Sequence, residues 1–291
     1  MVRIQILISA LLILVALLFS KKTLAQERID FQNGHVIKLS DGYKYPRYAR
    51  SEFPDDIVVS KLLNGTLDKP ISNGSLGINQ KGENLLWEAI SAEEDGYFHS
   101  DKFNYGGLYV EYNSPTDRIM VLDAAGHSKV YVNGIPREGD HFDFQITKIP
   151  VQVKKGINSF YFVGGRKAKI RAVLYEPQSS IMLSLDHITL PDLIHEETAD
   201  KWGAIMVLNT LDKAATEYIL ESIVDGTKIL KTDVPRIEKL TVRRTPFKIS
   251  ELLNEEQPEV EVQLNLLTKS GKKMSSVKFK IKNKTFSAKH D

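Results

Sequence analysis

Along most of the chain apolar and polar residues alternate between short clusters of turn residues, the period of half-buried β-strands. The clearest run is Val260-Glu261-Val262-Gln263-Leu264-Asn265-Leu266, with its apolar residues on one face. Ser270-Gly271 then leads into Val277-Lys278-Phe279-Lys280-Ile281, where the lysines also discourage edge-to-edge pairing. Upstream, residues 108–112, 118–122, 129–132, 159–163, 170–175 and 204–208 read as strands. Asn133-Gly134 predicts a tight hairpin, because both residues tolerate the positive φ of a type I′ turn. Residues 212–224 fit a strand over 218–224 or a helix built on Ala, Glu and Leu, and residues 250–256 read as a helical turn ended by Pro258.

The pattern predicts an all-β chain of two tandem β-sandwiches. Glu176-Pro177-Gln178-Ser179-Ser180 has the composition of a boundary. The first sandwich is thus expected over 57–177 and the second over 178–291, with an N-terminal extension at 26–56.

The amino end follows a different rule. Met1-Val2-Arg3 is a short positive segment, residues 4–19 are almost uninterruptedly apolar, and Thr23-Leu24-Ala25 offers small residues before Gln26. This predicts a signal peptide over 1–25. The apolar run is short for a membrane span, which needs about 20 residues. Lys21 and Lys22 leave an uncleaved signal anchor as the alternative. Both readings export the bulk of the chain, to the periplasm, the cell surface or the medium, and under the cleaved reading no membrane span remains.

Charge and cysteine content narrow the chemistry. The 291 residues include no cysteine, which excludes disulfide frameworks, zinc–cysteine sites and thiol nucleophiles. The formal charge of +2 becomes −1 once Arg3, Lys21 and Lys22 are set aside. Nothing in that balance points to nucleic acid, which needs a concentrated basic face.

Several stretches carry a family resemblance. Val132-Asn133-Gly134 and Lys155-Gly156-Ile157-Asn158-Ser159-Phe160 resemble the hairpin and turn of galactose-binding-like jelly rolls. Gly106-Gly107-Leu108-Tyr109-Val110-Glu111, then Gly165-Arg166-Lys167-Ala168-Lys169-Ile170-Arg171-Ala172, and a block over 190–282 follow in order. Over residues 57–282 this order resembles the amino-terminal accessory region of exported bacterial proteins with a prolyl-oligopeptidase-type α/β-hydrolase domain. The resemblance implies a galactose-binding-like jelly roll followed by an immunoglobulin-like sandwich, and a hydrolase catalytic domain as partner. That catalytic domain does not follow before Asp291, and the reading is of an accessory region from a truncated frame or a stand-alone relative.

No catalytic residue is assigned. A nucleophile elbow needs G-x-S-x-G, and Asn73-Gly74-Ser75-Leu76-Gly77 lacks the residue between Gly and Ser. Phosphate-binding glycine patterns are absent, and no nucleotide cofactor is expected. His195-Glu196-Glu197 lacks the second histidine of a zinc helix. Glu93-Glu94-Asp95-Gly96, the densest acidic group, reads as a turn.

Two groups of residues remain as ligand candidates. Asp140 and Asp143, in Gly139-Asp140-His141-Phe142-Asp143, are candidate ligands for calcium, which takes hard oxygen donors; the jelly-roll resemblance also implies a structural calcium. Sugar recognition uses exposed aromatic faces against C–H surfaces. Trp87, Tyr97 and Tyr105, beside loop signals, are the candidates for a glycan or peptide ligand. The functional expectations are therefore a non-catalytic exported accessory region, a free-standing carbohydrate-binding protein, or a structural spacer.

Overall fold

The structure, a computed structural model, describes residues 27–39, 57–79, 82–192, 201–226, 228–249 and 258–282. The signal peptide, the helical turn at 250–256 and the His195 segment lie outside the described residues.

Two β-sandwiches follow one another. In the first, one sheet runs β1 (Arg28–Asp30), β13 (Lys169–Tyr175), β8 (Arg118–Ala125), β11 (Lys148–Val153), with β6 (Phe98–His99) also pairing β13. The facing sheet runs β10 (Ile135–Arg137), β9 (His127–Val132), β12 (Gly156–Gly164), β7 (Gly106–Ser114), β2 (Asn33–Lys38), β5 (Glu88–Ser91). Between them Phe31, Leu108, Val110, Leu122, Phe160, Phe162 and Leu174 form one buried cluster. The alternation seen in the sequence thus places one face of each strand in this core.

The segment 26–56, expected as an extension, supplies β1 and β2, one to each sheet. Strand β1 is tied in electrostatically as well as by its ladder. Arg118 on β8 reaches Glu27 at 2.5 Å and Glu176 at 2.9 Å, and also bonds Tyr112.

A third layer covers the outer face of the larger sheet. Helix α1 (Ile57–Leu63) and the hairpin of β3 (Ser75–Ile78) and β4 (Asn84–Leu86) lie there. Val58, Leu76, Leu85 and Trp87 pack with Ile37, Tyr109, Tyr131 and Tyr161. This layer explains why β7 is buried on both faces, with Tyr109 pointing away from the main core.

The two motifs that carried the resemblance meet in space. Asn133, at φ 50, and Gly134, at φ 79, form the predicted left-handed turn between β9 and β10. Asn133 Nδ2 donates to Asn158 Oδ1 at 2.8 Å, and Ser159 N donates to Asn133 Oδ1 at 2.9 Å. Asn158, fully buried, also accepts from Lys154 N and donates to Lys154 O and Gly156 O. Its carboxamide replaces the ladder bonds that the β11–β12 turn cannot make.

The second sandwich packs β14 (Ile181–Thr189), β15 (Lys201–Asn209), β18 (Val242–Ile249) against β17 (Lys228–Asp233), β16 (Tyr218–Val224), β19 (Glu259–Thr268), β20 (Lys273–Lys282). Ile205, Val207, Leu220, Phe247, Val262 and Leu264 fill its core. The helix alternative over 212–224 is not realised: Ala215 bridges Ile237, and Glu217 turns left-handed at φ 64 before β16 begins. The sandwiches touch through Val121, Met182 and Leu208, and Arg137 Nη2 donates to Leu240 O at 2.8 Å.

Candidate functional site

The loop between β10 and β11 is held from below and exposed above. The Asp140 carboxylate accepts the backbone N–H of Phe144 at 3.0 Å and of Gln145 at 2.7 Å. Asp140 O accepts from Gly126 N at 3.1 Å, which pins the loop to the start of β9. The Asp143 carboxylate, buried, accepts the Tyr97 hydroxyl at 2.9 Å and the Lys169 ammonium at 2.9 Å. Lys169 Nζ also lies 3.9 Å from the Tyr97 ring centroid. Burial and the neighbouring Asp143 carboxylate push the Tyr97 phenol up, and the hydrogen bond to Asp143 holds Lys169 more firmly protonated.

Inside this frame the backbone turns sharply. Asp143 and Gln145 both take left-handed φ, 58 and 59, on either side of Phe144. Such conformations cost of order 1–2 kcal/mol each for residues with a Cβ, and Asp140's two bonds and Asp143's ion pair hold them in place. The result is that Phe144 is 65% exposed and Phe142 47% exposed, in a loop whose backbone is fixed. Their ring centroids are 5.6 Å apart with planes inclined at 34°, which forms a shallow two-ring surface.

Arg166 borders that surface. Its guanidinium carbon is 5.4 Å from the Phe142 ring centroid, while His141 meets Phe142 edge-on at 5.0 Å. The preceding glycines make this approach possible: a Cβ at Gly164 would lie 1.8 Å from Phe103 O, and one at Gly165 would lie 2.5 Å from Gly126 O. Below the loop, His127 is fully buried and edge-on to Phe162 at 5.2 Å. Burial pushes its imidazole down to about 4, with the Glu138 and Ala125 backbone and the Asp140 carboxylate opposing in part.

The residues expected from sequence are distributed differently. Trp87 is 3% exposed and packs edge-on to Tyr109 in the third layer, so its face is closed to a ligand. Tyr97 is 6% exposed and acts through its hydroxyl as a support for Asp143, not as a stacking face. Trp87 is drawn inward by the apolar neighbours of the third layer, and Tyr97 by its hydroxyl bond to Asp143 with the Lys169 ammonium over its ring. Tyr105 is half-exposed at the end of a 3-10 turn (Asp101–Tyr105), packed on β2, β7 and β12.

Asp140 and Asp143 do not face a common point. One carboxylate is spent on backbone N–H groups, and the cation beside the other is the Lys169 ammonium. Among the described residues no group of three His, Asp or Glu is disposed to hold a metal ion. The Glu93–Gly96 segment forms a turn closed by Gly96 N to Glu93 O, with Asp95 bonded to Tyr97 N and His99.

Phe142, Phe144 and Arg166 were not singled out by the sequence reading. In a loop that offers two carboxylates, nothing local to Phe142-Asp143-Phe144 marks its two rings as exposed. The usable signal was the flanking Gly139-Asp140 and the Gly164-Gly165 pair, which mark two backbones that must come close.

No protein-family model and no curated protein matches the chain. Among solved structures it is similar to the exo-chitosanase CsxA of Amycolatopsis orientalis, at 14% identity and TM-score 0.38, over 88% of this chain and 33% of that one. It is also similar to the β-glucuronidase of Parabacteroides merdae, at 11% identity and TM-score 0.37, over 89% of this chain and 36% of that one. A third is the Lactobacillus rhamnosus β-glucuronidase, at 10% identity and TM-score 0.32, over 89% of this chain and 45% of that one. The chain therefore spans about a third of the length of the first two.

Proposed function

We propose that this chain is a non-catalytic, exported accessory region whose first sandwich binds carbohydrate through the loop between β10 and β11. One observation carries the reading: Phe142 and Phe144 stand exposed on a backbone that Asp140 and Asp143 hold rigid. Apolar rings left in water on a fixed loop destabilise nothing only if they are few, and they reduce the ordering cost when a ligand stacks on them. A sugar's C–H face is the complementary surface.

The order of motifs over 57–282 supports a hydrolase catalytic domain of prolyl-oligopeptidase or esterase type working beside this region. The absence of a G-x-S-x-G elbow from the sequence supports a binding role for the chain itself. Binding to a glycan array by the purified chain, lost in Phe144→Ala, tests the first part. Turnover of proline-peptide or ester substrates by the same preparation would contradict the second.

A further inference from the structure

Resting on that reading, we infer that the site takes an acidic sugar, a uronate, with Phe142 and Phe144 against its C–H face and the Arg166 guanidinium on its carboxylate.

The charges around the loop are mostly paired. Asp140 is committed to the N–H groups of Phe144 and Gln145, Asp143 to Lys169 and Tyr97, and Asp95 to His99 and Tyr97 N. Lys167 lies 3.9 Å from Asp143, on the outer side of the same carboxylate. Arg166, exposed, has no carboxylate partner among the described residues and rests against Phe142 alone. A guanidinium laid on a ring keeps its N–H fork free in the ring's margin, and that fork matches a carboxylate in two parallel bonds.

Arg166 is placed by Gly164 and Gly165, whose backbones admit no side chain, and by Arg166 N to His141 O at 3.5 Å. Its guanidinium therefore borders Phe142, one of the two rings that would carry the sugar. A neutral sugar would use the rings and leave the fork unanswered. A carboxylated one would use both. Two phenylalanines and a cation also suit an anionic membrane surface, and the vesicle arm of the test separates that outcome from sugar binding.

The test compares one oligosaccharide in two forms: an oligogalacturonate and its carboxyl-reduced counterpart, titrated into the full chain by calorimetry. The acid form should bind about tenfold or more tightly, the difference expected of charge-assisted hydrogen bonds, and salt should narrow the gap. Arg166→Gln should bring the two affinities together without moving the melting temperature, since Arg166 is exposed. Equal affinities in the wild type, or a preference that survives Arg166→Gln, would overturn the uronate assignment while leaving carbohydrate binding intact. Binding of neither sugar, with Phe144-dependent binding to phosphatidylglycerol vesicles, would overturn both.

Discussion

The Tyr97 hydroxyl donates to the Asp143 carboxylate at 2.9 Å across 46 residues of sequence, and so ties the exposed loop to the strand that starts at Phe98. Because Asp143 is buried, the bond is made out of water and is expensive to leave open. Tyr97→Phe keeps the ring and removes the donor. It should cost about 2 kcal/mol in chemical denaturation and raise hydrogen exchange in residues 140–145. Unchanged stability would show that the carboxylate finds its partners elsewhere.

Trp87 and Phe144 should separate stability from binding. Trp87 fills the third layer, so Trp87→Ala should destabilise by about 3–5 kcal/mol, the usual range for emptying a large buried site. Phe144→Ala should change stability by less than about 0.5 kcal/mol, as exposed positions do. Denaturant midpoints for the two variants, measured side by side, check this.

Asn158→Ala should be costly although no apolar contact is lost. It strips the partners from Lys154 N and Asn133 Nδ2 and leaves Lys154 O and Gly156 O without their donor. A loss of about 3 kcal/mol is expected. The purified variant's melting curve would report it, and a loss below that of Tyr97→Phe would contradict the account.

His127 sets an acid limit. Its folded pKa of about 4 lies below the ordinary value of 6.5, so the unfolded chain takes up a proton that the folded chain refuses. Stability is therefore unaffected by this group above about pH 6.5, falls as pH drops through the window from 6.5 to 4, and changes no further below 4. The full loss is about 3 kcal/mol. In His127→Leu the denaturation free energy should fall less steeply between pH 7 and 4 than in the wild type. Parallel slopes would contradict the assignment.

The strands were legible because burial on one face is written directly into the alternation. The run 260–266 sits inside β19, 218–224 coincides with β16, and Asn133-Gly134 turns as its chemistry requires. Less legible were β1 and β2, whose partners β13 and β7 lie far along the chain, so that no local period announces them. Trp87 misled because loop neighbours suggest exposure, whereas its burial depends on α1 and the β3–β4 hairpin folding over the sheet. The site itself was hidden for the same reason. Nothing local in Phe142-Asp143-Phe144 shows which way its rings face, and Tyr97 and Lys169, brought from distant segments to Asp143, fix the loop in which both rings stand exposed.

The central claim is that the Phe142–Phe144 surface binds carbohydrate. Calorimetric titration of the full chain and of Phe144→Ala with the strongest glycan-array hit measures it most directly. Saturable binding by the wild type, weakened about tenfold or more in a variant of unchanged melting temperature, is the result predicted. Equal affinity in the two proteins, or no glycan bound by the wild type, would contradict it.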